Sequence, residues 1–189
     1  MIPPYTKINT FIYPSQENIE LILDSSNKFT IGKTLFPNIK SEYKLDKYIV
    51  LFPFASSHLT IKRWPYYNDL INLIKKQYSN NYKIVIAPGP NEIDDSKKIN
   101  AECVLDNSKA LDISQLSTLI KESVFVVAND TGPAHMAAHL GAKGLTLFGS
   151  HKSAILQSIE RENFKAIQVS DLNKLSAEKV FEKLLNELS

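Results

Sequence analysis

The sequence contains little cysteine, little arginine and no long apolar run, and each shortage excludes a class of protein. Cys103 is its single cysteine, which excludes an internal disulfide and a zinc site built on cysteines. Arginine stands only at Arg63 and Arg161, the lysines are scattered, and the net charge is +2, so no basic stripe indicates a nucleic-acid partner. No apolar run approaches the roughly 18 residues that a membrane-spanning helix needs.

What is present is typical of one folded domain with an extension. Hydrophobic residues make up 43% of the 189 residues and charged residues 22%, which suits a globular protein. The first residues lack the charged-then-apolar pattern of a secretory signal, so we expect a cytoplasmic protein. Residues 1–47 carry four prolines and only short periodic segments. We therefore predict an amino-terminal extension over residues 1–47 and a domain over residues 48–189.

From residue 48 onward, short apolar runs alternate with segments of helical spacing. Apolar runs of this length are typical of strands buried on both faces, and the alternation favours a parallel sheet. We predict an α/β fold, a Rossmann-like parallel sheet with helices on both faces. The predicted strands cover residues 48–53, 83–87, 102–105, 123–128, 144–148 and 165–169, and the predicted helices cover residues 65–78, 91–100, 112–122, 131–140, 151–159 and 176–188.

Ligands of such sheets bind beyond the carboxyl ends of the strands, and three of these ends carry unusual residues. Ser56, Ser57 and Lys62 follow the first strand and suit an anion such as phosphate; the alternative is a plain surface loop. Gly89 allows a sharp turn after the second strand. Glu92 then either accepts hydrogen bonds from sugar hydroxyls or caps the next helix.

The segment at residues 128–139 gives the most specific signal. A buried strand ends in Asn-Asp-Thr-Gly, and a helix starts at once. Asp130 or Thr131 can cap this helix, and Gly132 removes the side chain where a ligand would approach. The open N–H groups and the helix dipole then favour an anion, with His135 one turn further in.

Sharper interpretations of the same segment fail. His135 and His139 have the spacing of a zinc-protease helix, but Met136 stands where the catalytic glutamate is needed. The dinucleotide fingerprint, the Walker phosphate loop and an Asp-x-Asp metal motif are all missing from the sequence. We therefore predict an anion site of another type, without a metal.

Together the three segments resemble glycosyltransferase family 9, the ADP-heptose:lipopolysaccharide heptosyltransferases. The residues that carry the resemblance read FPFASSHLTIKRWP, IAPGPNE and VVANDTGPAHMAAHLGAKGLTLFGS, and SAEKVFEKLLNEL is similar to the family's closing helix. The resemblance extends from about residue 48 to the carboxyl terminus. It implies one half of a GT-B fold, the nucleotide-sugar-binding domain.

The resemblance also implies roles for the residues at the three strand ends. Ser56, Ser57 and Lys62 would hold the diphosphate, and Glu92 would contact the ribose. Thr131, Gly132 and His135 would surround the diphosphate, Asp130 would bind the sugar, and Met136 would line the nucleotide pocket. No cofactor is implied, because Lys62 and the helix terminus would stabilise the leaving diphosphate in place of a metal.

The implied reaction is transfer of a heptose or related sugar from an ADP-linked donor to a lipid-linked saccharide. It would serve lipopolysaccharide or cell-surface glycan synthesis, peripherally at the inner face of the inner membrane. The family's catalytic base belongs to an acceptor domain, and nothing in residues 1–47 matches its motif, so we expect a remnant of that domain there. Three hypotheses follow: a truncated or split transferase completed by a separate chain, a non-catalytic nucleotide-sugar-binding remnant, and, below both, a nucleotide-sugar epimerase.

Overall fold

Six short strands form one parallel sheet in the described part of the chain, residues 37–56, 59–79 and 81–188 of a computed structural model. Their order across the sheet is β3-β2-β1-β4-β5-β6, and each neighbouring pair is parallel. The sheet therefore grows from β1 in one direction and from β4 in the other. The strands are β1 (Tyr48–Phe52), β2 (Lys83–Ile86), β3 (Glu102–Cys103), β4 (Phe125–Asn129), β5 (Gly144–Phe148) and β6 (Phe164–Gln168).

Helices connect the strands and cover both faces of the sheet, which confirms the predicted Rossmann-like fold. A further helical segment covers residues 37–42. None of the described helices has both the length and the hydrophobicity to cross a membrane. The named helices are α1 (Tyr67–Tyr78), α2 (Ile93–Ser96), α3 (Ile113–Glu122), α4 (Gly132–His139) and α5 (Ala177–Leu188), with 3-10 turns at Thr60–Lys62 and Leu172–Lys174.

The strands bury side chains on both faces because their residues alternate between two cores. On β1, Val50 belongs to the core beneath α3 and α4, whereas Ile49 and Leu51 belong to the core beneath α1 and α5. Both cores therefore depend on the same sheet. The end of the predicted extension joins the first of them, since Ile39 and Leu45 are buried there.

Two predicted helices differ from the structure. The segment at residues 91–100 is helical only as α2, because its charged side chains form exposed pairs and Ser96 is its only side chain classed as buried within that helix. The predicted helix at residues 151–159 is wrong: the segment consists of turns. Gln168 accounts for this, because its side chain bonds the backbone of the segment at Lys152 and Ala154, in place of helical hydrogen bonds.

Candidate functional site

A cavity of about 480 Å³ lies at the carboxyl ends of β1, β2 and β4. At this edge of the sheet the strand order reverses between β1 and β4, and ligands of open α/β sheets bind at such a point. The loops after these strands and α3 supply its walls. The predicted residues that line it are Ser56, Lys62, Glu92, Asp130, Thr131 and Gly132.

Asn129, the last residue of β4, fixes the two strand ends relative to each other. Its Oδ1 accepts from the main-chain N–H of Trp64 at 3.2 Å and from the Tyr67 hydroxyl at 3.3 Å. Its Nδ2 donates to the Pro53 carbonyl at 2.8 Å. The side chain is fully buried, so these bonds hold the loop after β1 against the end of β4. The sequence placed Asn129 in the motif but gave it no role.

Asp130 is the centre of a charged cluster. Lys62 Nζ lies 2.6 Å from its Oδ2, and His151 Nε2 lies 3.0 Å from the same oxygen. His135 Nε2 lies 3.4 Å from Oδ1. Burial favours a raised pKa for Asp130, whose side chain is 3% exposed, but hydrogen bonds from His135, Lys62 and His151 outweigh burial and hold the pKa well below its ordinary value. Asp130 is therefore a carboxylate at neutral pH.

The amino terminus of α4 opens into the cavity. Thr131 occupies the N-cap position, but its hydroxyl donates to the Asn129 carbonyl at 3.3 Å and makes no capping bond to the helix. A Cβ placed on Gly132 would meet no described atom within 4 Å, so the space in front of this residue is open. Pro133 has no N–H, and the Ala134 N–H donates to the Thr131 carbonyl at 3.0 Å, so Gly132 supplies the N–H of this first turn that faces the open space. This end of α4 is therefore suited to an anion.

Of the two adjacent cations after β1, only Lys62 lines the cavity. The Arg63 guanidinium donates twice to the Ala55 carbonyl, at 2.7 and 3.1 Å, and lies 3.8 Å from Asp95. Arg63 thereby braces the loop after β1. Lys62 also lies 3.3 Å from the Asp130 main-chain carbonyl, so its ammonium group rests at the end of β4.

Glu92 lines the cavity without capping the helix that it precedes. Its Oε2 accepts the Gly89 N–H at 2.8 Å, and its side chain makes no capping bond to α2. The turn after β2 is therefore closed by Glu92 itself. Apolar wall near this turn comes from Pro88, Leu111 and Leu116. The cavity thus combines a part that contains Lys62 and the amino terminus of α4 with an apolar part that also carries the Glu92 carboxylate.

The remaining predicted residues lie elsewhere. His135 sits one turn into α4 and contacts Asp130, outside the described lining of the cavity. Met136 is partly buried and packs against the core beneath α3 and α4. His139 turns to other partners, since its Nδ1 lies 2.7 Å from the His135 carbonyl and its Nε2 accepts from Arg161 at 3.1 Å. Ser57 lies outside the described residues.

His151 is a site residue that the sequence reasoning missed. It follows β5 directly, in the segment that was predicted to be helical. Its ring is stacked on Phe148, with centroids 5.9 Å apart and planes 9° apart, and its side chain is 8% exposed. The one signal in the sequence was its position three residues after the strand predicted at residues 144–148. Among the described residues, no group of three or more histidine, cysteine or acidic side chains is arranged to hold a metal.

Comparison with known proteins gives a family and a fold. The model of glycosyltransferase family 9 (heptosyltransferase) matches residues 14–185. A comparison with curated proteins finds no match. The solved E. coli ADP-heptose lps heptosyltransferase II is 19% identical with a TM-score of 0.65, over 81% of this chain and 50% of that chain.

Two further structures are similar in the same way. E. coli heptosyltransferase WaaC with ADP-2-deoxy-2-fluoro heptose is 20% identical with a TM-score of 0.62, over 76% of this chain and 44% of that one. The glycosyl transferase family 9 protein of Veillonella parvula is 15% identical with a TM-score of 0.68, over 83% and 51%. At these identities the likeness shows the fold. The chain spans about half the length of these structures.

Proposed function

Because the chain belongs to glycosyltransferase family 9, we propose that its cavity binds the nucleotide-sugar donor of a heptosyltransferase-like reaction. The observation that carries this proposal is the cavity itself, which joins Lys62 to the open amino terminus of α4 at the edge where the sheet changes direction. A diphosphate needs this combination of a cation and backbone N–H groups. The donor is an ADP-linked heptose or a related sugar.

In this proposal, different residues of the cavity bind different parts of the nucleotide sugar. Lys62, Ser56, Ser57 and the Thr131–Gly132 turn take the diphosphate, with His135 behind it. Glu92 takes the ribose, Asp130 takes the sugar, and Met136 contributes to the nucleotide pocket from the core side. In the transfer, negative charge develops on the diphosphate as the glycosidic bond breaks, and Lys62 with the helix terminus stabilises that charge.

Transfer also needs an acceptor site and a catalytic base. We propose that a separate domain or chain supplies both, and that the acceptor is a lipid-linked saccharide at the cytoplasmic face of the inner membrane, in lipopolysaccharide or cell-surface glycan synthesis. Family membership favours this transferase over a nucleotide-sugar epimerase. The second candidate is a nucleotide-sugar-binding protein without transfer activity, which uses the same cavity.

Calorimetric titration with ADP-glucose tests the donor site. We expect the protein to bind, and Lys62→Ala and Thr131→Ala to weaken binding. For Lys62→Ala the loss is about tenfold to a hundredfold, the usual range for a hydrogen bond to a charged group. Lys76→Ala is the matched control, because this lysine is exposed on α1. This variant should bind ADP-glucose with the affinity of the wild type. A wild-type protein that binds neither ADP- nor UDP-sugars would contradict the proposal.

A transfer assay separates the two candidates. The protein is mixed with a polypeptide that contains an acceptor-binding domain of the family, together with an ADP-sugar and a lipid-linked saccharide. Product formation that depends on Lys62 supports the transferase. Donor binding without product under any pairing supports the non-catalytic protein instead.

A further inference from the structure

Lys62 and His151 converge on one oxygen of Asp130 from two different segments of the chain. Lys62 comes from the turn after β1 and His151 from the loop after β5, at 2.6 and 3.0 Å from Oδ2. The carboxylate accepts from both, so the His151 nitrogen that faces it carries a proton. One of these two donors is therefore able to leave while the other stays.

In the proposed function, Lys62 is the hydrogen-bond partner of Asp130 that turns away toward the ligand. Its ammonium group lines the cavity, where the diphosphate of a nucleotide sugar carries two negative charges against the single charge of Asp130. Asp130 has 3% of its side chain exposed, so water does little to replace a departing cation. A buried carboxylate that loses its cation is strongly destabilised. Binding of the nucleotide sugar therefore creates a need for a second cation beside Asp130.

We propose that His151 is a positioning residue that becomes this cation, taking up one proton from the solvent as Lys62 turns to the diphosphate. This inference rests on the proposed function of the cavity. The His151 Nε2–H keeps its bond to Asp130, and the added proton goes to Nδ1. Asp130 thereby stays charged and oriented toward the sugar while Lys62 serves the phosphates.

The surroundings of His151 permit this protonation. Its Nδ1 is buried and has no hydrogen-bond partner among the described residues, so a proton there costs an unpaired N–H, which the attraction of the adjacent Asp130 carboxylate must outweigh. Gly149 leaves room beside the ring, because a Cβ at that position would come within 3.3 Å of Nδ1. The stacked ring of Phe148 places its π face against the imidazole, which favours a cation.

The charged and titratable groups around His151 come from four segments of the chain. The described groups around it are Asp130 after β4, Lys62 after β1, His135 on α4 and Lys152 in its own loop. His135 contacts the other Asp130 oxygen at the longer distance of 3.4 Å. His139 has both ring nitrogens in hydrogen bonds, and its Nε2 faces Arg161, so a proton there is disfavoured.

Titration calorimetry in buffers of different ionisation enthalpy measures the proton. ADP-glucose is the probe, because its phosphates are esterified and stay fully ionised near neutral pH. For the wild type, the binding heat should depend on the buffer, with a slope that corresponds to uptake of at most one proton per ligand near pH 7, the limit that linkage sets for one histidine. The affinity should rise as the pH falls, by at most about tenfold per pH unit.

Substitution of each of the four histidines assigns the proton. His151→Gln retains a side-chain donor for Asp130 but cannot titrate, so its binding heats should be independent of the buffer. His58→Gln, His135→Gln and His139→Gln should retain the uptake, whatever their affinity. Circular dichroism checks that each variant is folded.

The outcomes separate this inference from the function on which it rests. Wild-type binding without proton uptake overturns the inference and leaves the donor site standing. Uptake that persists in His151→Gln, or that disappears with another histidine instead, overturns it as well. A wild type that does not bind nucleotide sugars at all overturns both the inference and the donor site.

Discussion

Asn129 has a larger structural role than any residue that the sequence assigned to the site. Its amide joins the Trp64 N–H, the Tyr67 hydroxyl and the Pro53 carbonyl, all of which are cut off from water. An unpaired buried polar group costs about 1–3 kcal/mol. The geometry of the cavity therefore depends on a side chain that does not face the ligand.

Replacing Asn129 with alanine should lower the free energy of unfolding by about 2–4 kcal/mol, because the Trp64 main-chain N–H and the Pro53 carbonyl lose this partner, whereas the Tyr67 hydroxyl keeps the Phe52 carbonyl. Urea denaturation followed by circular dichroism measures this change. Asn91→Ala is the control, because this asparagine is exposed, and it should stay within about 0.5 kcal/mol of the wild type. Equal stability of Asn129→Ala and the wild type would show that these bonds contribute nothing.

The sequence predicted which residues meet at the cavity better than how each side chain is used. Lys62, Glu92 and Asp130 meet because carboxyl ends of parallel strands share one edge, which a sequence pattern can anticipate. The rotation of Arg63 onto Ala55 was not predictable, since it depends on the path of the loop. The contact of His151 with Asp130 required knowing that β5 lies beside β4.

At the scale of elements, α3 shows how a local signal supports the site. Asp112 and Gln115 form a capping box, in which the Asp112 carboxylate accepts the Gln115 N–H at 2.7 Å and the Gln115 amide oxygen accepts the Asp112 N–H at 2.9 Å. Gln115 also donates to Asp106 at 2.8 Å. The box fixes the first turn of the helix that carries Leu116 into the cavity wall.

We expect Asp112→Ala to reduce the free energy of unfolding by about 1 kcal/mol, the usual loss when an N-cap side chain is removed. Asp94→Ala is the comparison, because the Asp94 side chain is exposed and pairs with Lys97 at the surface. Thermal denaturation of both variants measures the change, and the loss of unfolding free energy should be smaller for Asp94→Ala than for Asp112→Ala. An Asp112→Ala variant as stable as Asp94→Ala would contradict a role for the box.

Element bounds were predictable wherever the local pattern decided them. The apolar runs gave β1 and β5 almost to the residue, because both faces of these strands are buried. The helix predicted at residues 151–159 failed because the side chain of Gln168, on the next strand β6, bonds the backbone of the segment at Lys152 and Ala154. Ile155 and Leu156 are about four-fifths exposed there, so their apolar character gave a false helical signal.

At the scale of the whole molecule, the order of the strands links the site to both cores. The sequence predicted a parallel sheet, but strand order depends on where each crossover returns, which no local pattern contains. In the structure β1 and β4 are central neighbours. Their residues alternate between the two cores, so the ends of β1 and β4 at the cavity are anchored in both cores.

This arrangement should make unfolding of the described domain cooperative. Trp64 is the single tryptophan, is 2% exposed in the core beneath α1 and α5, and donates its indole N–H to the Leu175 carbonyl at 2.7 Å. Its fluorescence therefore reports one face, whereas far-UV circular dichroism reports helices on both. We expect the two signals to give the same urea midpoint, because neither core can open while the shared strands stay paired. Hydrogen exchange at Leu119 of α3 and Ile71 of α1 should give equal opening free energies. A fluorescence transition at lower urea than the dichroism transition would show instead that the face beneath α1 and α5 unfolds by itself.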